Sequence, residues 1–254
     1  MKIAFIASPR PGAQDVLGQF VSRYGQCTIA DADYVVTVGG DGTALKALHA
    51  QLDVAKKKTV FAMRTQGSIG FLCNPLQISD LVDRLTNAIP VDLPVLQADV
   101  ERVEGQRQTL FAINEIVLFR QRLQQGRFNL TVHGEKTTTT IAGDGLALAT
   151  PLGSTGYNQS LGGPRLSLGS RLLALTGIAL AHRNPWHRMV LNDRIILDVD
   201  VVEAEHHPVR IETIIETVPD IRHARLCCNG DRTITLLLDR GVLNELMAFS
   251  GQRC

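Results

Sequence analysis

The motif Gly39-Gly40-Asp41-Gly42-Thr43 places one carboxylate among three glycines, between a β-branched run and a helical pattern. A strand that enters a glycine-rich turn at the start of a helix directs backbone N–H groups and the helix dipole to one place, which suits phosphate. Asp41 would repel phosphate unless it holds a metal or removes a proton. The alternative is a tight turn in which Asp41 only caps the helix.

Residues 150–164 form a second unusual segment, in which glycines, hydroxyl side chains and Tyr157 occur together between two prolines. Glycines let the backbone approach a ligand closely, whereas hydroxyls and a ring offer hydrogen bonds and a stacking face. The dinucleotide fingerprint and the P-loop motif are both absent from the sequence. The two segments together indicate an enzyme that handles a nucleotide but is neither a dehydrogenase nor a P-loop enzyme.

Residues 64–72 follow a predicted strand, and the carboxyl end of a strand is where open α/β sheets bind ligands. Phe71 in this segment could stack on a base, although composition alone favours an ordinary core position. Asn114 and Glu115 interrupt the apolar run at 110–118. They are either a satisfied buried pair or a bulge, or they bind ribose hydroxyls, because unpaired burial of polar groups is costly.

Gly143-Asp144-Gly145 repeats the Gly-Asp-Gly pattern just before residues 150–164. A carboxylate between two glycines could hold a cationic or hydroxyl-rich part of a ligand. An ordinary turn explains the same residues equally well.

The elements that must position these residues change in character along the chain. Strand and helix patterns alternate up to residue 89, including a helix at 79–89 with Ser79 as its N-cap, and this alternation predicts a parallel sheet covered by helices. Beyond the prolines at 90–94 short strand patterns prevail. The exceptions are a long helical pattern at 170–182 and another at 242–249.

We therefore predict an α/β N-terminal domain with a parallel sheet, at residues 1–93, that carries the glycine-rich turn. A mainly-β domain that binds the nucleotide should follow at residues 94–238. The C-terminal tail at 239–254 could pack back on the N-terminal domain. The chain length suits one large domain or two modest ones.

Composition limits the possible partners. The charges nearly cancel, since 26 Lys and Arg stand against 25 Asp and Glu, which argues against nucleic-acid binding through bulk charge. No run approaches about 18 consecutive apolar residues, so we expect no membrane span. The five cysteines lack metal-binding spacing and are typical of reduced thiols in a cytoplasmic protein.

In identity, order and spacing, four of these motifs resemble the NAD kinase family in its bacterial form: 39–43, 114–115, 143–145 and 150–164. The segment Gly67-Ser-Ile-Gly-Phe-Leu72 matches as well. The resemblance is good over residues 33–185 and looser elsewhere. The Gly-Gly-Asp-Gly turn alone also occurs in diacylglycerol and sphingosine kinases, so the specificity comes from the four motifs together.

This resemblance implies an enzyme that phosphorylates the 2′-hydroxyl of the adenosine ribose of NAD to give NADP. The donor would be ATP or polyphosphate with Mg²⁺ or another divalent metal. The resemblance also implies a site between two domains and a cytoplasmic homodimer or homotetramer. A lipid kinase and an NAD-sensing module that binds without catalysis are the alternatives. The sequence leaves open the choice of donor, the use of NADH and any feedback regulation.

The resemblance also implies roles for single residues. Asp41 matches the catalytic base, and Tyr157 matches a ring that stacks on adenine. The expected NAD-binding residues are Asp41, Gly42, Phe71, Asn114, Glu115, Asp144, Thr155, Gly156, Tyr157, Ser160, Ala179 and Ala181. The expected phosphate-donor residues are Gly39, Gly40, Gly42, Thr43 and Arg64.

The chain departs from the family pattern at several positions. Gly156 stands where alanine is usual, Arg64 lies at a variable position, and Ala142 replaces a basic residue found in some members. The late acidic NAD contact of the family has no clear match, and Glu212 is the best candidate.

Overall fold

A computed structural model describes residues 1–52, 57–67, 70–133, 138–181 and 184–248. In chain order the elements are β1 (Ile3–Ala7), α1 (Pro11–Tyr24), β2 (Tyr34–Gly39), α2 (Asp41–His49), β3 (Thr59–Arg64), β4 (Asn74–Pro75), α3 (Leu81–Asn87), β5 (Ile89–Arg102), β6 (Arg107–Ala112), β7 (Glu115–Arg120), β8 (Gly126–Val132), β9 (Thr138–Gly143), β10 (Gly145–Ala149), a 3₁₀ turn (Gly153–Thr155), α4 (Tyr157–Ser160), β11 (Leu172–Ile178), β12 (Arg188–Asn192), β13 (Ile196–Val201), β14 (Val209–Glu212), β15 (Thr217–Val218), β16 (Ile221–Leu238) and α5 (Arg240–Ala248).

The chain divides into two compact units. The first unit comprises residues 1–93 and 233–254, and the second unit comprises residues 94–232. The second unit ends at Arg232, whereas the sequence placed this end at 238. The reason is that Leu236 and Leu237, near the end of β16, pair with β3 and therefore belong to the first unit.

The first unit contains the predicted parallel sheet, in which β1, β2, β3 and the end of β16 lie side by side. The buried β-branched run of β2 explains its central place, because a strand covered on both faces is apolar throughout. Phe5, Phe20, Phe61 and Met63 form the centre of the core of this unit. The fold class predicted for this part of the chain is confirmed.

The predicted cap of α3 is wrong. Ser79 does not cap this helix, which begins at Leu81 after Asp80, and Asp80 has a left-handed backbone with φ 61°. No side chain caps the first turn. Leu81, the first residue of the helix, and Leu85 are both buried in the core of the first unit.

The second unit is built from antiparallel strands, as predicted for a mainly-β region. Six strands form one sheet in the order β12-β11-β10-β7-β14-β15. Strand β8 pairs with β9 and with β13, β13 also pairs with the first part of β16, and β5 pairs with β6. Leu118, Phe128, Leu148 and Leu197 are fully buried in the shared core.

The predicted helix at 170–182 is wrong, because residues 172–178 are strand β11, which pairs with β10 and β12. Leu173, Ala174 and Leu175 are buried at consecutive positions. A strand buried on both faces shows no alternation and resembles a helix in sequence. His182 lies outside the described residues.

The run at 110–118 is likewise not one strand, since β6 ends at Ala112 and β7 begins at Glu115. The helix predicted at 242–249 is present as α5, with Phe249 outside the described residues. Among the residues that the structure describes, no helix is both long and apolar enough to span a bilayer.

Candidate functional site

The glycine-rich turn connects β2 to α2 as predicted. Strand β2 ends at Gly39, and α2 begins at Asp41 with Gly40 as its N-cap residue. A Cβ atom on Gly39 would lie 2.5 Å from Thr43 Oγ1, so only glycine lets the helix start this close to the strand. The first turn of α2 thereby presents free N–H groups and the positive end of the helix dipole to a ligand.

The Asp41 side chain does not cap α2, because α2 has no side-chain cap. Its carboxylate instead accepts hydrogen bonds from the backbone N–H groups of Phe71 and Leu72, each at 2.9 Å. The Cys73 thiol lies 3.7 Å from Asp41 Oδ1. These contacts fix the carboxylate beside the glycine-rich turn, and they disfavour the capping interpretation of Asp41.

A cavity of about 700 Å³ adjoins this turn within the first unit. The loop after β1 and the first turns of α2 form its wall, and Arg10 and Lys46 are its two basic residues. Arg10 immediately precedes α1, so two helix N-termini lie beside the cavity. Positive side chains and helix N-termini together favour an anionic ligand such as a polyphosphate.

Arg64 and Phe71 lie near this turn on the neighbouring strand and the loop that follows it. Arg64 ends β3 opposite Gly39, and its side chain is exposed. Phe71 is 50% exposed, so the interpretation of this ring as an ordinary core residue is wrong. Ser68 and Ile69, which belong to the same predicted motif, lie outside the described residues.

Asn114, which is buried, and Glu115, which is half-buried, form a polar pair in the second unit. Asn114 Oδ1 and Glu115 Oε2 are buried, and neither has a hydrogen-bond partner. Burial raises the pKa of Glu115 to about 7, while a hydrogen bond from the Asn114 side chain acts in the opposite direction. Two unpartnered acceptors are costly in a folded protein, and a ligand that donates hydrogen bonds would satisfy them.

The segment at 150–164 packs directly against this pair. A Cβ atom on Gly153 would lie 2.3 Å from the Asn114 carbonyl oxygen and 2.4 Å from Glu115 Oε2, so this position requires glycine. The Thr150 hydroxyl donates to the Ile113 carbonyl at 2.7 Å. The two predicted motifs are therefore in direct contact.

Buried hydrogen bonds hold the rest of this segment in place. The Asn158 side chain donates to the carbonyls of Ser154, at 3.1 Å, and Pro164, at 2.9 Å, and accepts from Thr176 at 2.7 Å. Tyr157, the residue before Asn158 in α4, is 42% exposed. A rigid backbone with an exposed ring is suited to stacking on a base.

Three other predicted residues of this segment have exposed or partly exposed positions. Thr155 donates to the Leu152 carbonyl at 3.3 Å, whereas Gly156 and Ser160 are exposed. Their backbone and hydroxyl groups are accessible to a ligand.

Asp144 lies in a different place from the Asn114–Glu115 pair. The length of strand β10 separates Asp144 from Glu115. Ala149, the last residue of β10, pairs with Glu115, whereas Asp144 immediately precedes the first residue of β10. A strand of this length spans roughly 17 Å. The predicted residues of the second unit thus form two groups, one at each end of the β7–β10 pair.

Asp144 is not a free carboxylate, because Arg120 Nε lies 2.5 Å from its Oδ1. The backbone N–H of Asp144 donates to the Ile178 carbonyl at 2.9 Å, and that of Ala181 donates to the Ala142 carbonyl at 3.0 Å. Ala179 has a φ of 45°, which is rare for a residue with a side chain. Backbone strain of this kind concentrates at functional sites.

Glu212 lies on β14, where its carboxylate contacts Arg210 Nε. Arg210 also lies over the ring of Phe119, 5.0 Å from its centroid. Glu212 is therefore part of an ion pair next to β7.

Several residues that shape the site were missed from the sequence. Arg10 and Lys46 lie outside the recognised motifs, and only the tertiary structure brings them to one cavity. Arg120 is an unremarkable strand residue until it pairs with Asp144. Gly153 and Asn158 lie inside the recognised segment at 150–164. A glycine that permits close packing and an amide that can form several hydrogen bonds were the signals in the sequence for their contacts.

The chain was compared with known proteins. No family model matches it. It is 35% identical to the NAD kinase of Hyphomonas neptunium over 98% of this chain and 99% of the relative. It is 36% identical to the NAD kinase of Xanthomonas campestris pv. campestris over 99% of this chain and 97% of the relative.

Solved structures share the fold. A yeast NADH kinase in complex with NADH superposes with a TM-score of 0.81 at 18% identity, covering 100% of this chain and 89% of that one. An NAD kinase from Archaeoglobus fulgidus in complex with ATP gives a TM-score of 0.75 at 19% identity, covering 98% of each chain. Because the identity to the Hyphomonas and Xanthomonas enzymes extends over nearly the whole chain, the protein belongs to the NAD kinase family.

Proposed function

We propose that this protein transfers the terminal phosphoryl group of ATP or polyphosphate to the 2′-hydroxyl of the adenosine ribose of NAD, which yields NADP. The observation that carries the proposal is the Asp41 carboxylate, held by two backbone N–H groups on the wall of the cavity at the start of α2. Membership of the family supports the choice of substrate.

The donor phosphates bind in the cavity of the first unit. The N–H group of Gly42 and the dipole of α2 attract their negative charge, Thr43 lines the same cavity, and Arg10 and Lys46 neutralise the charge from the wall. Arg64, exposed at the end of β3, is a further cation for the same phosphates. Gly39 and Gly40 keep this approach free of side chains.

A divalent cation such as Mg²⁺ supplies charge neutralisation to the donor phosphates when bound. Such ions use one or two carboxylates together with substrate phosphates rather than a cage of protein ligands. The cavity fits this pattern, because the carboxylate of Asp41 is among its lining groups.

Asp41 accepts the proton of the 2′-hydroxyl as that oxygen attacks the terminal phosphorus. The new oxygen–phosphorus bond forms while the bond to the remaining donor phosphate breaks, and the leaving phosphate carries away the electron pair. Positioning dominates this type of reaction, since its transition state requires little covalent assistance. The hydrogen bonds from Phe71 and Leu72 supply that positioning for the carboxylate.

The acceptor is bound by residues of the second unit. Asn114 and Glu115 accept hydrogen bonds from its hydroxyl and amide groups, which satisfies their two unpartnered oxygens. Tyr157 stacks on adenine, and Thr155, Gly156 and Ser160 contribute polar contacts from the same segment. Asp144, Ala179 and Ala181 contact the other end of the dinucleotide, and the exposed ring of Phe71 is a further stacking surface for a base.

Family membership also supports a cytoplasmic enzyme that forms a homodimer or a homotetramer. An NAD-binding module without catalysis would share every acceptor contact, so only turnover separates it from a kinase. The use of Asp41 as a base, rather than as a structural residue, is what distinguishes the kinase.

The test compares Asp41→Asn with the wild type in the conversion of NAD and ATP to NADP. We expect kcat to fall by about 10²–10⁴, since the variant loses a general base, with the Kd for NAD changed less than about threefold. Asp15→Asn, which alters an exposed carboxylate on α1, is the matched control and should leave kcat unchanged. Turnover of Asp41→Asn within about threefold of wild type would contradict the role of Asp41.

A further inference from the structure

Three donors converge on the Asp41 carboxylate from residues 71–73. Phe71 N–H donates to Oδ2 and Leu72 N–H donates to Oδ1, each at 2.9 Å, and the Cys73 sulfur lies 3.7 Å from Oδ1. The last distance is within hydrogen-bonding range for sulfur. The thiol is the one side-chain donor among the three, and it is therefore the one that mutation can remove.

Cys73 is chemically suited to donate to a carboxylate at every working pH. Its residue is 5% exposed. Burial, and after it the negative charge of Asp41, raises the pKa of the thiol far above its ordinary range. The sulfur consequently keeps its hydrogen, and it does not behave as a nucleophile.

The backbone around Cys73 is anchored on both sides. Asn74, the next residue, is fully buried, and its side chain donates to the Leu237 carbonyl at 3.0 Å and accepts from Asp239 N–H at 2.7 Å. On the other side, a Cβ atom on Gly70 would lie 2.9 Å from Arg64 Cδ and 3.1 Å from Cys73 Cβ. Gly70 thus leaves the space in which Arg64 and Cys73 pack together.

We propose that Cys73 is a positioning residue for the reaction, because its thiol donates a hydrogen bond to Asp41 Oδ1 and fixes the orientation of this carboxylate. The inference rests on the proposed role of Asp41 as the base. Without the thiol only the two backbone donors remain, so the carboxylate is held less firmly and presents its oxygen to the 2′-hydroxyl for less of the time, which lowers kcat. Neither substrate contacts Cys73 in this scheme, so both KM values stay the same.

The experiment measures kcat and both KM values for Cys73→Ala and Cys73→Ser, with Cys27→Ala as a control for cysteine removal. We expect Cys73→Ala to lower kcat by about threefold to tenfold, the size of one weak hydrogen bond, with both KM values within about twofold. The Cys73→Ser hydroxyl can donate to Asp41 and should restore most of kcat. Cys27→Ala should match the wild type.

A double-mutant cycle separates positioning from a general effect on folding. In the Asp41→Asn background, Cys73→Ala should change the residual kcat by less than about 1.5-fold, because the group that it positions is gone. The inference is overturned if Cys73→Ala leaves kcat unchanged, if Cys73→Ser is as slow as Cys73→Ala, or if the two substitutions act independently.

A second double-mutant cycle measures unfolding free energies instead of kcat. It tests the hydrogen bond between Cys73 and Asp41 whether or not the proposed function is correct. A wild-type protein that makes no NADP from NAD and ATP contradicts the function. In that case, the unfolding free energies of Asp41→Ala, Cys73→Ala and the double variant still report on the contact. Non-additive losses support the hydrogen bond, and additive losses overturn it.

Discussion

Glu115 allows a quantitative test of the site. Burial of its ionised carboxylate lowers the free energy of unfolding of the ligand-free protein, and Glu115→Gln should remove this destabilisation. Oε2 is buried without a hydrogen-bond partner. Burial therefore disfavours the ionised form and raises the pKa from 4.5 to about 7. Glutamine has nearly the same shape and no charge, so the substitution separates the cost of charge from that of packing.

The magnitude follows from the linkage between protonation and unfolding. The pKa rises by about 2.5 from its value in the unfolded chain, and each unit corresponds to about 1.36 kcal/mol. Between pH 4.5 and about 7 the folded protein keeps a proton that the unfolded chain has lost. The free energy of unfolding therefore falls across this window by about 3 kcal/mol as an upper value, and the contribution of Glu115 is constant above and below it.

The assay is urea unfolding of the ligand-free wild type and Glu115→Gln at intervals from pH 4.5 to pH 8. We expect the variant to lack this part of the pH dependence, and to be more stable than wild type at pH 8 by about 1–3 kcal/mol. Glu205→Gln, at an exposed glutamate, controls for loss of one negative charge and should follow the wild-type curve.

The same variant tests the binding role. An amide accepts with one oxygen only, and charge-assisted hydrogen bonds are about twice as strong as neutral ones. The KM for NAD should rise while the KM for ATP stays nearly constant. A wild-type pH dependence that survives in Glu115→Gln would refute the burial argument, and an equal rise in both KM values would refute the assignment to the acceptor.

Three other perturbations have defined outcomes. Tyr157→Ala should raise the Kd for NAD by roughly tenfold in calorimetry, since base stacking is worth about 1–3 kcal/mol; unchanged affinity with a lower Tm would show that the ring is structural. Gly153→Ala places a methyl group 2.3 Å from the Asn114 carbonyl, so it should cost about 1–3 kcal/mol in unfolding and weaken NAD binding, and wild-type values for both would contradict the close packing. A hydrogen bond from Arg225 lowers the pKa of Asp198 to about 2, so Asp198 stabilises the protein above pH 3.8 and this contribution is lost as the pH falls towards 2. Asp198→Asn should therefore cost about 1 kcal/mol at pH 7 in urea unfolding, given the exposure of its partners, and a variant as stable as wild type would refute this.

Local signals in the sequence were sufficient for β2, the glycine-rich turn and α2 of the first unit. The β-branched run of β2, the glycine-rich turn and the start of α2 are adjacent in the chain, and the backbone preferences of these residues allow few alternatives. The position of Asp41 in a glycine-rich turn between a strand and a helix was therefore predictable. The groups that hold its carboxylate were not, because they come from residues 71–73, about thirty positions later in the chain.

Tertiary structure decided the strand β11, which the sequence suggested was helical. Its leucines and alanine suit a helix, but the place between β10 and β12 buries both faces, and burial of this kind overrides local propensity. The break between β6 and β7 also depends on the tertiary structure. Strand β6 pairs with β5, whereas β7 pairs with β10 and β14.

Motif recognition in the sequence identified Asn114, Glu115 and the segment at 150–164 as related parts of a site, without showing how they meet. The contact of Gly153 with Glu115 comes from strand pairing between β7 and β10, which aligns residues far apart in the chain. The same pairing places Asp144 at the far end of the strands. The residue types in the sequence thus determined which chemistry is available. Strand register and burial, which only the tertiary structure provides, determined which groups are in contact. Burial also raised the pKa of Glu115, because desolvation depends on neighbours that only the fold supplies.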